Sequence, residues 1–204
     1  MPEFAAIPSR HSTFRRSIFS ALLGVIVVLG AMTLTTSEAR ADQAVKFMQR
    51  VAGELLRAHK ANSLPQMTRV IRSRGDVAAI GRFSLGTYYA RLKRGRRNSY
   101  FNGMTKFMAR YVIDQSKSYR VASATVLRPS KPRGRDVLVD TQVTMTSGAT
   151  YNVQWLLSRR GNTFKVRDIN VLSFWVLPHQ RNLFRSYVRK ANGDVNALVL
   201  ALNQ

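Results

Sequence analysis

The hydrophobic period of this chain changes twice, and the two changes decide what it can fold into. From Asp42 to His59, Ala44, Phe47, Met48, Val51, Leu55 and Leu56 recur at steps of three and four, the spacing of one helix face. Pro65 starts a second short element whose apolar face is Met67, Val70 and Ile71. Asp76 can cap a third, carrying Val77, Ile80, Phe83 and Leu85. Tyr100, Met104, Phe107, Met108, Tyr111 and Val112 mark a longer amphipathic helix. From Ser118 the period is two. Val137, Val139, Thr141, Val143 and Met145 alternate with Leu138, Asp140, Gln142 and Thr144, and Tyr151, Val153, Trp155 and Leu157 alternate with Asn152, Gln154, Leu156 and Ser158. Ser147-Gly148 and Gly161-Asn162 fall between these runs as hairpin turns. Arg120 to Leu127 is the expected first strand, with Pro129 to Gly134 as the loop after it. In the strand from Thr163 the inward parity switches at Arg167-Asp168, which predicts a bulge. The period then returns to helix over Gln180 to Lys190, and Val195, Leu198, Val199 and Leu202 close the chain. The order predicts an α+β fold, with a curved antiparallel sheet of about four strands and helices packed on one face.

The first 41 residues read as an address. Arg10, Arg15 and Arg16 precede an apolar run from Ile18 to Met32, and Ala39-Arg40-Ala41 supplies small residues at a cleavage position. The competing reading is a membrane anchor, but the run is short for a span, which needs about 20 residues. The expectation is a cleaved signal peptide over 1–41, a single domain over 42–204, and export from the cytoplasm. Arg15-Arg16 is only a weak match to twin-arginine export. Cleavage removes four Arg and two Glu, so the net charge falls only from +23 to +21. The charge therefore belongs to the folded domain and needs an explanation outside the cytoplasm.

Candidate chemistry is sparse. There is no cysteine, so disulfide scaffolds and thiol catalysis are excluded. No nucleophile elbow, zinc-protease motif, P-loop or dinucleotide fingerprint occurs. His59 and His179 stand apart from any ligand-spaced partner. Asp136 and Asp140 share a strand face opposite Val137 and Val139, the solvent side. A cavity enzyme would need Asp140 or Asp168 as a buried base. The basic residues cluster as Arg91, Lys93, Arg94, Arg96 and Arg97, as Lys131, Arg133 and Arg135, and as the i, i+4 stripe Arg181, Arg185 and Arg189. One reading is a solvated face; the other is an anionic surface or partner, nucleic acid included. The aromatic and methionine stripes suit either a filled core or a lined cavity.

A family resemblance runs through the mature chain. Asp76-x-x-x-Ile80-Gly81-Arg82-Phe83-x-Leu85-Gly86 resembles the "D…ARxVLGRYW" segment of the MlaC, or toluene-tolerance, family of periplasmic phospholipid-binding proteins. Thr163-Phe164-Lys165-Val166-Arg167-Asp168-Ile169 is similar to its "WKVYDV", Ser173 to the serine of its "EGVS", and Gly193-Asp194-Val195-Asn196-Ala197-Leu198 to its closing "GGxDALI". Two departures stand out. Val171-Leu172 replaces Glu-Gly before the serine, and Phe174 to Gln180 is longer and more aromatic than usual. These leave the lipid species open, with a polycyclic lipid as an alternative.

The resemblance implies an NTF2-like cone around an apolar cavity, and a non-enzymatic carrier shuttling phospholipid between outer and inner membranes. It implies no cofactor other than phospholipid held as cargo. Its implied partners are an inner-membrane ABC transporter with an MCE-domain subunit and an outer-membrane lipoprotein complex, with the carrier a monomer that binds no nucleic acid. The cavity wall is expected at Ile80, Phe83, Leu85, Tyr88, Phe107, Tyr111, Val139, Val143, Val153, Trp155, Phe174 and Trp175. Headgroup or partner docking is expected at Arg91, Lys93, Arg94, Arg96, Arg97, Arg181 and Arg185.

Overall fold

A computed structural model describes residues 43–115 and 118–204. The expected leader over 1–41 lies outside the described residues. Helix α1 covers residues 43–60. Helix α2 (Leu64–Arg74) begins with Ser63 accepting from the Gln66 amide at 3.4 Å, and Pro65 sits in the first turn, where a missing N–H leaves nothing unpaired. Helix α3 (Val77–Leu85) is capped by Asp76, whose carboxylate accepts from the Ala79 amide. Two 3-10 turns, Gly86–Arg91 and Arg94–Arg96, lead into α4 (Arg97–Gln115).

The sheet follows as β1 (Val121–Val126), β2 (Lys131–Arg133), β3 (Asp136–Met145), β4 (Thr150–Arg160), β5 (Thr163–Val171) and β6 (Phe174–Trp175). All pairs of this curved, open sheet are antiparallel in the order β1-β3-β4-β5-β6, with β2 paired to β3. Gly148 and Gly161 take φ of +85° and +57° at the hairpin turns, which side chains with a Cβ resist. The register jumps from Leu156↔Asp168 to Leu157↔Val166, leaving Arg167 as the extra residue of a bulge. Helices α5 (Val176–Lys190) and α6 (Val195–Asn203) end the chain.

The sheet has six strands rather than about four. Lys131–Arg133, expected as loop, pairs with β3, and Phe174–Trp175 pairs with β5. Both are too short to show a period, and Pro132 hides the first, since a proline fits only an edge strand. Helix α5 starts at Val176, ahead of the expected Gln180, where Asp168 Oδ1 accepts from the Leu177 amide at 2.8 Å and satisfies one of its first-turn donors.

The apolar interior forms three clusters. Helix α1 lays Ala44, Phe47, Met48 and Val51 against Val139, Trp155, Leu157 and Phe164 of the sheet. Helices α3 to α6 pack around Leu85, Tyr100, Met104, Phe184, Val188 and Leu198. Ala58, Met67, Ala109 and Ile113 join α1, α2 and α4. Among the described residues no helix is long and apolar enough to cross a membrane.

Candidate functional site

The alternation along β3 and β4 puts Val139, Thr141, Val143, Val153 and Trp155 on one face, because Val139 pairs with Trp155, Thr141 with Val153 and Val143 with Tyr151. This face changes along its length. Val139 and Trp155 are buried beneath α1, Val143 and Val153 are half-buried, and Tyr151 is exposed. Two polar atoms lie inside this apolar wall. Thr141 Oγ1 and Trp155 Nε1 are buried and lack any hydrogen-bond partner among the described residues. They are diagonal neighbours across β3 and β4. An unpaired buried polar atom costs about 1–3 kcal/mol. An ester or hydroxyl arriving here could satisfy both, since the indole donates and the threonine hydroxyl donates and accepts.

The expected helical wall falls elsewhere. Ile80 and Leu85 are buried in the α3–α6 cluster, with Tyr88 and Phe107 half-buried against it. Val153 and Trp155 belong to the cluster with α1. The two groups line separate packed regions rather than one void, because α1 fills the inner sheet face, with Phe47 and Phe164 rings 6.1 Å apart. The surface of the described residues includes two shallow concavities. One, of about 260 Å³, is lined by Phe107, Arg110, Tyr111, Asp114, Ala201 and Leu202. The other, of about 350 Å³, lies along Glu54, Arg57, Gln66, Arg69, Val70, Ser73 and Arg74.

Three expected lining residues sit at the surface. Phe83 is 37% exposed, Tyr111 59% and Phe174 56%. The Arg181 guanidinium stacks on the Phe83 ring at 4.7 Å. Tyr111 borders the concavity beside α6, and Phe174 follows the β5–β6 turn. Trp175 is half-buried under Arg133 at 5.1 Å.

The cations expected to dock share this interleaving. Arg91 stacks on Tyr88 at 5.3 Å and Arg97 on Tyr89 at 5.2 Å. Such pairs shelter a guanidinium without neutralising it. Lys93, Arg94 and Arg96 are exposed. Arg94, Arg96 and Arg97 stand at the N-terminus of α4 with no acid in its first turn, where the helix dipole opposes positive charge. The Nε atoms of Arg97 and Arg185 are buried and unpartnered among the described residues. Sequence reasoning missed Thr141 and the Arg133–Trp175 pair. Thr141 could have been found as a polar residue on the inward-facing parity of β3.

The acids are committed to the fold. Asp140 accepts from Lys131 Nζ and Gln154 Nε2, each at 2.9 Å. Burial pushes its carboxyl up, but these bonds and the lysine charge hold it below its ordinary value. Asp168 accepts from the Leu177 and Ile169 amides at 2.8 Å each. Burial raises its pKa against those bonds and the charges of Arg133 and Arg167. His59 Nε2 accepts from the Val121 amide at 3.1 Å, and burial followed by the Lys60 charge lowers its pKa. Among the described residues no group of three His, Asp or Glu could hold a metal.

The model of the MlaC protein family matches residues 38–204. Among solved structures, the phospholipid-binding protein from Ralstonia solanacearum, determined in complex with a phospholipid, superimposes with a TM-score of 0.64 at 20% identity. The match covers 79% of this chain and 94% of that one. No curated protein matches the sequence.

Proposed function

The chain belongs to the MlaC protein family, and on that premise we propose that it is a periplasmic phospholipid carrier, exported by a cleaved leader over 1–41, that moves lipid between the outer and inner membranes. The observation that carries this reading is the inner sheet face, an apolar wall that emerges from under α1 at Val143 and Val153 and contains the unpaired Thr141 hydroxyl and Trp155 indole. Acyl chains extend this wall, and the glycerol esters meet the two polar atoms. The solved fold relative with a bound phospholipid supports the choice of ligand.

The need for a carrier is physical. Each CH₂ buried is worth about 0.8 kcal/mol, so two acyl chains exceed ~20 kcal/mol of gross transfer energy from water. Loading requires α1 to part from the sheet, because its apolar side chains now occupy that face. Ile80, Leu85, Tyr88 and Phe107 then form the opposite wall. Handover takes place at an ABC transporter with an MCE-domain subunit and at an outer-membrane lipoprotein complex, which Arg91, Lys93, Arg94, Arg96, Arg97, Arg181 and Arg185 approach first. Asp140 and Asp168 are both engaged in structural hydrogen bonds, which speaks for binding without catalysis.

The experiment is to express the full chain, recover the protein from the periplasm, extract it with organic solvent and run mass spectrometry on the extract. Phospholipid in near-stoichiometric amount is expected, with a protein N-terminus at Asp42. Val143→Glu should abolish the lipid while the protein stays folded. A lipid-free wild-type protein overturns the reading.

A further inference from the structure

The β5–β6 connection is a two-residue turn, Leu172-Ser173, closed by the pairs Val171↔Phe174 and Asn170↔Trp175. Both turn residues have positive φ, +52° and +65°. Tight hairpins of this kind favour Asn-Gly, because a Cβ is strained there. Leucine is a poor choice twice over, since its side chain is also 73% exposed. Phe174 is 56% exposed and Val176 37%. The turn thus projects Leu172 into water on a backbone that glycine would fit better, and beside it Phe174 is exposed except where its ring meets that of His179 edge-on at 5.5 Å. Folding stability gives no reason for Leu172.

The base of the turn is polar in a specific way. Trp175 lies under the Arg133 guanidinium at 5.1 Å. Arg133 and Arg135 flank the exposed Gly134 turn that joins β2 to β3. Neighbouring acids are already engaged, Asp136 by Arg167 at 3.0 Å, Asp140 by Lys131 at 2.9 Å and Asp168 by two backbone amides at 2.8 Å, although the Arg133 charge also acts on Asp168. Neither Arg133 nor Arg135 makes an ion pair among the described residues.

We propose that the Leu172–Val176 segment is a membrane-contact element that docks the protein on an anionic bilayer leaflet. Leu172 and Phe174 enter the boundary between headgroups and acyl chains, Trp175 lies at headgroup level, and Arg133 and Arg135 meet lipid phosphates. The order of chemistry from tip to base, aliphatic and aromatic, then indole, then guanidinium, follows the polarity gradient of a lipid interface. A convex tip of two side chains seats in a fluid surface, whereas a stable protein partner needs about 800 Å² of matched area on each side. The net charge of the chain favours an anionic leaflet over a neutral one.

This docking is independent of whether the protein carries lipid, so the two readings fail separately: co-purified lipid tests cargo, and vesicle binding tests docking. The test is co-sedimentation of the exported, purified protein with vesicles of phosphatidylglycerol and phosphatidylcholine, against vesicles of phosphatidylcholine alone. The wild type should bind the anionic vesicles only, with binding lost in high salt. Leu172→Gly should lower the partition coefficient roughly tenfold while raising Tm by about 2–4 °C, because it removes both the anchor and the strain. Phe174→Ser should also weaken binding, and Arg133→Glu with Arg135→Glu should weaken it about tenfold or more. Equal binding to neutral vesicles, undiminished binding by Leu172→Gly, or a fall in its Tm overturns the proposal. So does a wild type that ignores anionic vesicles, including one that uses this face to hold an acidic protein.

Discussion

Arg160, at the end of β4, donates from Nε to Asp76 Oδ2 at 3.1 Å and again from Nη2 to the same oxygen, joining the sheet to the start of α3. Asp76 also accepts from Ser158 Oγ at 2.9 Å and caps the Ala79 amide, while its own amide donates to Val166 O at 2.8 Å. Its side chain is 7% exposed while that of Arg160 is 53% exposed, so the carboxylate is sheltered and the guanidinium reaches it from the water side. Asp76→Ala removes a helix cap and charge-assisted hydrogen bonds together and should cost about 2–4 kcal/mol. Asp76→Asn keeps the cap and should cost less. Urea unfolding of both variants checks this.

The same carboxylate sets an acid limit. Burial alone would raise the Asp76 pKa, but hydrogen bonds from Arg160 and Ser158, with the Arg160 charge, hold it below the ordinary 3.8. A folded pKa below the unfolded one gives stability that is present above the unfolded value and lost as pH falls through the folded one. The urea midpoint should therefore drop below about pH 4, and Asp76→Asn should flatten that drop.

Asp168 has the opposite sign. Its folded pKa is raised by burial, so its contribution is greatest at low pH and is lost as pH rises through the folded value. Asp168→Asn keeps an oxygen for the Leu177 and Ile169 amides and removes the buried charge. It should raise stability at neutral pH and steepen the loss on acidification, because the compensating group is gone. Asp168→Ala orphans both amides and should cost about 1–3 kcal/mol. Thermal unfolding at pH 4 and pH 7 separates the two.

Much of the fold was legible because local chemistry and tertiary need agree. Pro65, the Asp76 cap, the turn glycines Gly148 and Gly161 and the parity switch at Arg167 each act within a few residues. The site was less legible because alternation assigns a face without saying what covers it. Val139 and Val143 belong to one alternating run, yet α1 buries the first completely and leaves the second half-buried. Phe83 and Tyr111 lie on apolar helix stripes wider than the face that packing uses, so both reach the surface. Arg133 and Trp175 are far apart in sequence, and no periodicity brings them together.

Gly81 explains one residue of the family-like segment physically. A Cβ there would lie 2.6 Å from Phe101 Cε1 and 3.0 Å from Tyr100 Cε1. The Tyr100 hydroxyl donates to the Gly81 carbonyl at 2.9 Å, so that ring cannot retreat without losing its bond. Helix propensity favours alanine by about 1 kcal/mol, but overpacking costs about 1–3 kcal/mol. Gly81→Ala should be destabilising on balance. Gly95→Ala, with nothing within 4 Å of the added methyl, should leave Tm unchanged or slightly raised. Calorimetry on the pair checks the contrast.

Thr141 offers the sharpest test of the inner wall. Its hydroxyl is buried without a partner, and valine has nearly the same shape. In the lipid-free protein, Thr141→Val should raise stability by about 1 kcal/mol, since it removes an unsatisfied group. If the hydroxyl receives a lipid ester, the variant also gives up part of the gain that bound lipid confers. The Tm difference between loaded and delipidated protein should then be smaller in Thr141→Val than in the wild type. Trp155→Phe should narrow it as well, because the indole N–H is the neighbouring donor. A raised Tm with an undiminished loading gap would make Thr141 an ordinary wall residue and remove it from the ligand site.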